Sequence, residues 1–292
     1  MKKMSNNIDQ LISSIPIWQN KIIISKIDGG ITNQNFLVED GIKKYFVRVG
    51  KDIPEHLVFR SNEIIASKVA SSLQISPKVI FNNNDLQVID FVNGSTLNEE
   101  GLKENLNSVI SLIKKVHHDM PKNLYGQSMI FWVFHVIRHY SKFIEENNSK
   151  YTSMLPDLLK KSNLIEKHSS PFEIVFAHND LLPANFIKDN EQLWLIDWEY
   201  AGYNTPLFDL GGLSSNNNFN EKEEIILLEN YYEQKIEGEI IKKFKCLKSA
   251  SLLRETMWSM VSEITSKIDF DYSSYTNENL TKFNKSFEDL DL

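Results

Sequence analysis

The segment His178-Asn179-Asp180-Leu181-Leu182-Pro183-Ala184-Asn185 places a histidine, a carboxylate and a carboxamide within one short stretch, and Asp197 follows twelve residues after Asn185, behind an apolar run over 193–196. Moving a phosphoryl group onto an alcohol requires a carboxylate to orient the attacking hydroxyl and further oxygen donors to hold Mg²⁺ against the phosphates. Asp180 is the candidate for the first task, Asn185 and Asp197 for the second. Asp and Asn also fill ordinary turns, so none of the three is informative alone. Their joint spacing, after one apolar strand and again after another, is what singles them out.

These residues need elements to hold them. Residues 22–91 read as β-rich: Ile22-Ile23-Ile24 starts a strand, Asp28-Gly29-Gly30 turns it, and Phe36-Leu37-Val38 resumes it. Asp40-Gly41 is a hairpin signal before the strand Tyr45-Phe46-Val47-Arg48-Val49. Ile64, Ile65, Val69 and Leu73 predict a helix over 60–72, and strands are expected over 78–81 and 86–91, either side of Asn82-Asn83-Asn84. From Asn93 the pattern becomes helical. Leu102, Leu106, Val109, Ile113 and Val116 predict one helix of about five turns, with others over 128–145, 154–167, 221–235 and 239–267. A strand-rich insert, 172–177 and 193–196, carries the chemistry. The reading is an α+β fold divided at Asn93-Gly94-Ser95 into a β-rich nucleotide-binding lobe, 1–92, and a helical lobe with catalytic loop and substrate pocket, 93–292. Beyond Asp269 no pattern is evident.

Other parts fall into place around this set. Gly29-Gly30-Ile31-Thr32-Asn33 lies between two strands, where glycine lets backbone N–H groups approach phosphate. Arg48 ends the third strand and Glu63 sits on the next helix, where protein kinases put a phosphate-contacting lysine and its ion-pair partner; His178 to Asn185 fits the H-x-D-L-x-x-x-N spacing of a kinase catalytic loop.

On these residues, together with Asp197-Trp198-Glu199-Tyr200-Ala201-Gly202 and Phe208-Asp209-Leu210, the chain resembles the choline/ethanolamine kinase family over about 26–261, most closely its bacterial choline kinases, within the wider group that includes aminoglycoside phosphotransferases. The resemblance implies a two-lobed protein-kinase-like fold with ATP and Mg²⁺ in the cleft. Asp180 would orient or deprotonate the hydroxyl, Asn185 and Asp197 would hold the metal, and His178 would brace the loop. Arg48, positioned by Glu63, would hold phosphates with Gly29, Gly30, Thr32 and Asn33. The segment Asp90-Phe91-Val92 would be the hinge facing the adenine. No Ala-Pro-Glu segment follows Asp197, which argues against a protein substrate.

The implied acceptor is choline, whose trimethylammonium group needs aromatic faces and negative charge. Trp258 matches a tryptophan that walls the choline pocket in this family; Tyr200, Glu199 and Glu255 are further candidates, and Trp198, Tyr203, Tyr231 and Tyr232 are available. The sequence departs from the eukaryotic pattern at Glu255, where a second tryptophan stands, and at Asn216, where a glutamate stands. A less caged pocket follows, leaving ethanolamine, another amino alcohol or thiamine open. Asn179 and Trp198-Glu199-Tyr200 weigh against an aminoglycoside phosphotransferase, and the presence of Asp180, Asn185 and Asp197 against a nucleotide-binding pseudokinase. His135 and His139, four apart, lack a third zinc ligand, and His117 and His118 suit a helix C-terminus, where a positive imidazole complements the dipole.

Composition bounds the rest. The 292 residues carry a net charge of −7, which disfavours a broad nucleic-acid footprint and leans toward a cationic small partner. Cys246 is the single cysteine, so a reducing, cytoplasmic setting is expected. The first residues lack a secretory pattern, and the longest apolar run, 129–137, is interrupted by His135 and too short to insert in a membrane. Nothing in the pattern specifies an oligomeric state.

Overall fold

The computed structural model describes residues 2–27, 33–83 and 85–292. The chain opens with α1 (Lys2–Ser13), followed by β1 (Ile23–Ile27), β2 (Gln34–Asp40), β3 (Lys43–Val49), α2 (Arg60–Ser72), β4 (Val79–Asn82) and β5 (Leu86–Asp90). The five strands form one antiparallel sheet in the order β1-β2-β3-β5-β4. Alternation decides its faces. Phe36, Val38, Tyr45, Val47, Leu86 and Val88 point to one side, where Ile12 of α1 and Ile15 complete a small core. Phe46, Arg48, Gln87 and Ile89 point to the other, with Arg48 opposite Gln87 and Phe46 opposite Ile89. Gly41, at φ +66°, makes the expected hairpin, and the carboxylate of Asp40 accepts from the backbone N–H groups of Gln19 and Asn20.

The remaining elements are β6 (Ser95–Thr96), α3 (Glu99–Glu104), α4 (Leu106–His118), α5 (Met120–Asn123), α6 (Val133–Glu146), α7 (Leu155–Ser169), β7 (Val175–Ala177), β8 (Phe186–Lys188), β9 (Leu193–Leu195), β10 (Gly202–Asn204), α8 (Pro206–Asn216), α9 (Glu221–Tyr232), α10 (Glu239–Thr265) and α11 (Tyr272–Glu288). Helix α10 packs against α6, α7, α8 and α11. Its second half is buried all round, from Leu252 to Ser262 with few gaps. A helix apolar on every side needs neighbours on every side. Two short sheets, β10-β7 and β6-β8-β9, lie between the five-stranded sheet and the helices. The carbonyl of Ile75, just past α2, accepts from the N–H of Leu195, and Ser76 donates to the Leu195 carbonyl, fixing α2 to β9.

Several expectations are corrected. The stripe from Leu102 to Val116 is two helices: Asn105 leaves helical geometry (φ −104°, ψ 18°) and its side chain donates to the Gly101 carbonyl. Helix α6 starts at Val133 rather than 128, because the N–H of Phe131 and the carbonyl of Met129 bond to Tyr203 instead. The tail past Asp269 forms α11, whose buried stripe Tyr272, Thr276, Asn279 and Phe283 contains two polar residues and so escapes an apolar count.

Gly211 on α8 shows how closely two helices can approach. A Cβ there would lie 2.8 Å from the backbone nitrogen of Lys248 on α10. Gly211→Ala is therefore expected to destabilise the fold by about 1–3 kcal/mol through overpacking, read as a lower urea midpoint at unchanged slope; an unshifted midpoint would contradict this packing.

Candidate active site

Beneath the sheet lies a cavity of about 100 Å³. Its roof is Phe46, Arg48, Gln87 and Ile89; its back is Asp90, Phe91 and Val92; its floor is Ile187, Ile196 and Trp198. The N–H groups of Asp90 and Phe91 are already bonded to the carbonyls of Lys78 and Lys44, which holds this crossing segment in place. Trp198 is buried and donates from Nε1 to Ser76 Oγ at 2.8 Å, so it serves the cavity floor rather than an ammonium group.

At the inner end of this cavity, charges from three elements meet. Arg48 of β3 pairs with Glu63 of α2 and, at 3.1 Å, with Asp197. Arg60, one turn before Glu63, contacts Glu63 and Glu199 at 2.6 Å each and donates to Asn33 Oδ1 at 2.7 Å. Asn33 in turn donates to Glu199. Two guanidinium groups thus face three carboxylates. Burial raises the Asp197 carboxyl, but Arg48 beside it outweighs this and holds it below the usual range. Burial, with the neighbouring Asp197 charge, raises Glu199. Oxygen atoms of Glu63, Asp197 and Glu199 lie within 4.8 Å of one another, the one such set among the described residues. An all-oxygen, net-negative set fits a hard cation such as Mg²⁺.

The loop carrying Asp180 is positioned mainly through its backbone. Strand β7 ends at Ala177; the N–H groups of His178 and Asn179 then donate to the two carboxylate oxygens of Asp209, at 2.8 and 2.7 Å. Asp209 is fixed from behind by His117, whose Nε2 lies 3.0 Å away, and Tyr231 closes the chain 2.7 Å from His117 Nδ1. His117, in the last turn of α4, is therefore also a buried partner of the loop. Asn179 has φ +66°, a left-handed conformation that asparagine tolerates better than most residues. Its amide donates to the carbonyls of Tyr200 and Gly202, and its Oδ1 accepts from Asn204. His178 donates from Nε2 to the Ile196 carbonyl and stays neutral because burial lowers its pKa. Asn185 donates to the Asp180 carbonyl and accepts, through its own carbonyl, from the N–H of Ile196. Asp180, Asn185 and Asp197 are thereby brought together. Burial, opposed by Arg254 and reinforced by Glu255, raises the Asp180 carboxyl to about 7.

On the far side of Asp180 a small cavity is lined by Phe208, Asn216, Ser251, Arg254 and Glu255, and behind it lies a buried aromatic cluster. Tyr200 meets Phe131 edge-on at 5.9 Å and accepts at its hydroxyl from Trp258 Nε1. Trp258 is 5% exposed and enclosed by His56, Tyr272 and Tyr275. Arg254, one turn before Trp258, lies with its guanidinium 4.3 Å from the Tyr200 ring centre. It bonds Glu255 at 2.7 Å and reaches Asp180 at 3.5 Å, while Tyr275 donates to the other oxygen of Glu255.

Gly29, Gly30 and Thr32 lie outside the described residues. Arg48, Glu63, Asp90 and Val92 line the cavity, Asn33 sits on Arg60 and Glu199 in the ion cluster, and Tyr200, Trp258 and Glu255 are in or beside the aromatic cluster. Glu199 was expected with the substrate; it sits in the ion cluster, tied to Arg60. Tyr203 packs on Phe176, and Tyr231 and Tyr232 pack on each other, which removes them from the pocket. His135 is exposed on α6. Arg60 and Arg254 were missed. The spacing of Arg60 three before Glu63, and of Arg254 four before Trp258, was the available signal.

The sequence profile described as choline/ethanolamine kinase matches residues 24–226. Protein LicA of Haemophilus influenzae is 25% identical over 286 residues, covering 94% of this chain and 82% of its own. Ethanolamine kinase 2 of Homo sapiens is 26% identical, covering 94% and 78%. The crystal structure of choline kinase LicA from Streptococcus pneumoniae superposes with a TM-score of 0.81 at 24% identity, over 98% of this chain and 99% of that one. Among the described residues no helix is long and apolar enough to cross a membrane.

His56, stacked 5.4 Å from Trp258, is held neutral by burial, with Arg254 adding, at a pKa of about 3. Its folded value lies below its unfolded value, so stability falls as pH drops from about 6.5 toward about 3, by up to about 1.4 kcal/mol per unit. Urea unfolding at pH 7.5 and 5.5 should show this loss, and His56→Gln should shrink the difference between the two conditions by about 1 kcal/mol; an unchanged difference would mean His56 is not the group responsible.

Proposed function

The chain belongs to the choline/ethanolamine kinase family and is a phosphotransferase acting on an alcohol, with ATP and Mg²⁺ as cofactors, and we propose that the alcohol is choline, giving phosphocholine. The observation that carries the choice is the packed aromatic cluster of Phe131, Tyr200 and Trp258 with the carboxylates of Asp180 and Glu255 beside it. A quaternary ammonium group cannot donate hydrogen bonds and is held by ring faces and nearby carboxylates, each face contributing about 0.5–2 kcal/mol. Ethanolamine is the second reading, favoured by the likeness to human ethanolamine kinase 2 and by the charge of Glu255 where a further ring would suit choline.

In this reading the adenine enters the cavity backed by Asp90, Phe91 and Val92. Arg48 holds the phosphates, a task proposed also for Gly29, Gly30, Thr32 and Asn33; Glu63 positions Arg48, and Arg60 supports both through Glu199 and Asn33. Asn185 and Asp197 would hold the metal, which supplies charge neutralisation on the phosphates when bound. Asp180 accepts the hydroxyl proton as the alcohol oxygen bonds to the γ-phosphorus and the bond to the β-phosphate oxygen breaks, leaving ADP. His178 and Asp209 position the loop. We further propose that the chain divides into lobes 1–92 and 93–292 around this cleft and works in the cytoplasm, which the single buried Cys246 supports.

Asp180→Asn should lower kcat by roughly 10²–10⁴-fold with nucleotide affinity nearly intact; near-native turnover would remove Asp180 from this role. A coupled ADP-release assay over choline, ethanolamine, thiamine and kanamycin should give the highest kcat/KM with choline. A preference for ethanolamine would select the second reading, and no turnover with any of the four would overturn both.

A further inference from the structure

The acceptor pocket already contains a cation. Arg254 is 5% exposed, its guanidinium lies over Tyr200 at 4.3 Å and near Phe131 at 5.7 Å, and its charge faces Glu255 and Asp180. Ring faces plus carboxylates are the surroundings that suit an ammonium group, and here the chain's own side chain takes them. Its hold is incomplete. Nε and Nη2 of Arg254 are buried and meet no hydrogen-bond acceptor in the protein, and the contact to Asp180, at 3.5 Å, is at the edge of hydrogen-bond reach. Unpaired buried polar atoms continue around it: His56 Nδ1 and the Tyr140 hydroxyl, whose rings are 5.7 Å apart. A buried donor left unpaired carries a desolvation penalty, so this position is costly for a guanidinium despite its favourable charges. Its ion-pair partner Glu255 is less enclosed, with a side chain 19% exposed.

From this geometry we infer that Arg254 is the resident cation of the acceptor subsite, and that a cationic alcohol binds by displacing the guanidinium from the faces of Tyr200 and Phe131. The inference deepens the choline reading, because it concerns how the same subsite admits its ammonium group. Arg254 then sets specificity. An acceptor must outcompete a tethered guanidinium for two rings and two carboxylates, which a compact permanent cation does and a neutral alcohol does not. The bare pocket takes the cation whether or not a hydroxyl is attached, so binding and turnover can be measured separately.

The probe is tetramethylammonium, titrated calorimetrically into the full-length protein saturated with a non-hydrolysable ATP analogue and Mg²⁺. Arg254→Met fills the same length without charge and should bind the probe at least threefold more tightly than the wild type. Equal or weaker binding would overturn the inference. A rise in the acceptor's KM in this variant would overturn it too, by showing that Arg254 instead donates to the acceptor. If Arg254→Met does not fold, with Glu255 left charged beside Asp180, the comparison becomes Arg254→Met/Glu255→Gln against Glu255→Gln, with the same threefold criterion. Failure of the wild type to phosphorylate choline or ethanolamine would sink the substrate reading alone, since the calorimetric comparison decides the displacement by itself.

Discussion

Everything at the inner end of the cavity depends on five charged groups that cannot be buried separately. Arg48 comes from β3, Arg60 and Glu63 from α2, and Asp197 and Glu199 from the segment after β9. Removing an ion from water costs several kcal/mol, and a buried pair recovers this only with good geometry and further hydrogen bonds. The three elements must therefore approach to within bonding distance together or not at all. The spacing between sheet and floor follows from that requirement, and the anchoring of Ile75 and Ser76 on Leu195 sets it a second time without charge. Two cations against three anions leave one negative charge over, on the same cluster that includes Asp197.

A different economy governs the loop bearing Asp180. The Asp180 carboxylate is not gripped by a dense set of side chains; the backbone on either side of it is. Asp209, backed by His117 and Tyr231, takes the two N–H groups before it, and Asn179 ties the same stretch to β10. The arrangement leaves the Asp180 oxygens facing the pocket while fixing the direction in which they face. Asn179 and Asp197 both adopt positive φ, so the two loops that meet at the site turn sharply at the point of meeting.

How much of this was legible follows from range in sequence. The hairpin at Asp40-Gly41 and the helix 60–72 are local, set by turn chemistry and by a clean apolar period, and both stand as read. That the segments of Asp180, Asn185 and Asp197 meet was legible because their spacing is itself the signal. The break at Asn105 was hidden by an apolar stripe that continues through it, and α11 by the threonine and asparagine in its buried face. Arg60 and Arg254 were illegible for a deeper reason: an arginine is normally a solvated surface residue, and only the long-range approach of Glu199 to one and of Tyr200 to the other turns them into buried parts of a site.

Helix α10 has one more implication. In the proposed reading one wall of the acceptor site, Arg254, Glu255, Trp258 and Tyr275, is borne on α10 and α11, whereas the groups assigned to the phosphates all precede residue 200. A duplicated copy of such a chain could explore new alcohols through substitutions confined to its last quarter, with the transfer apparatus inherited intact. Divergence of acceptor within this architecture is thus a matter of relining one wall.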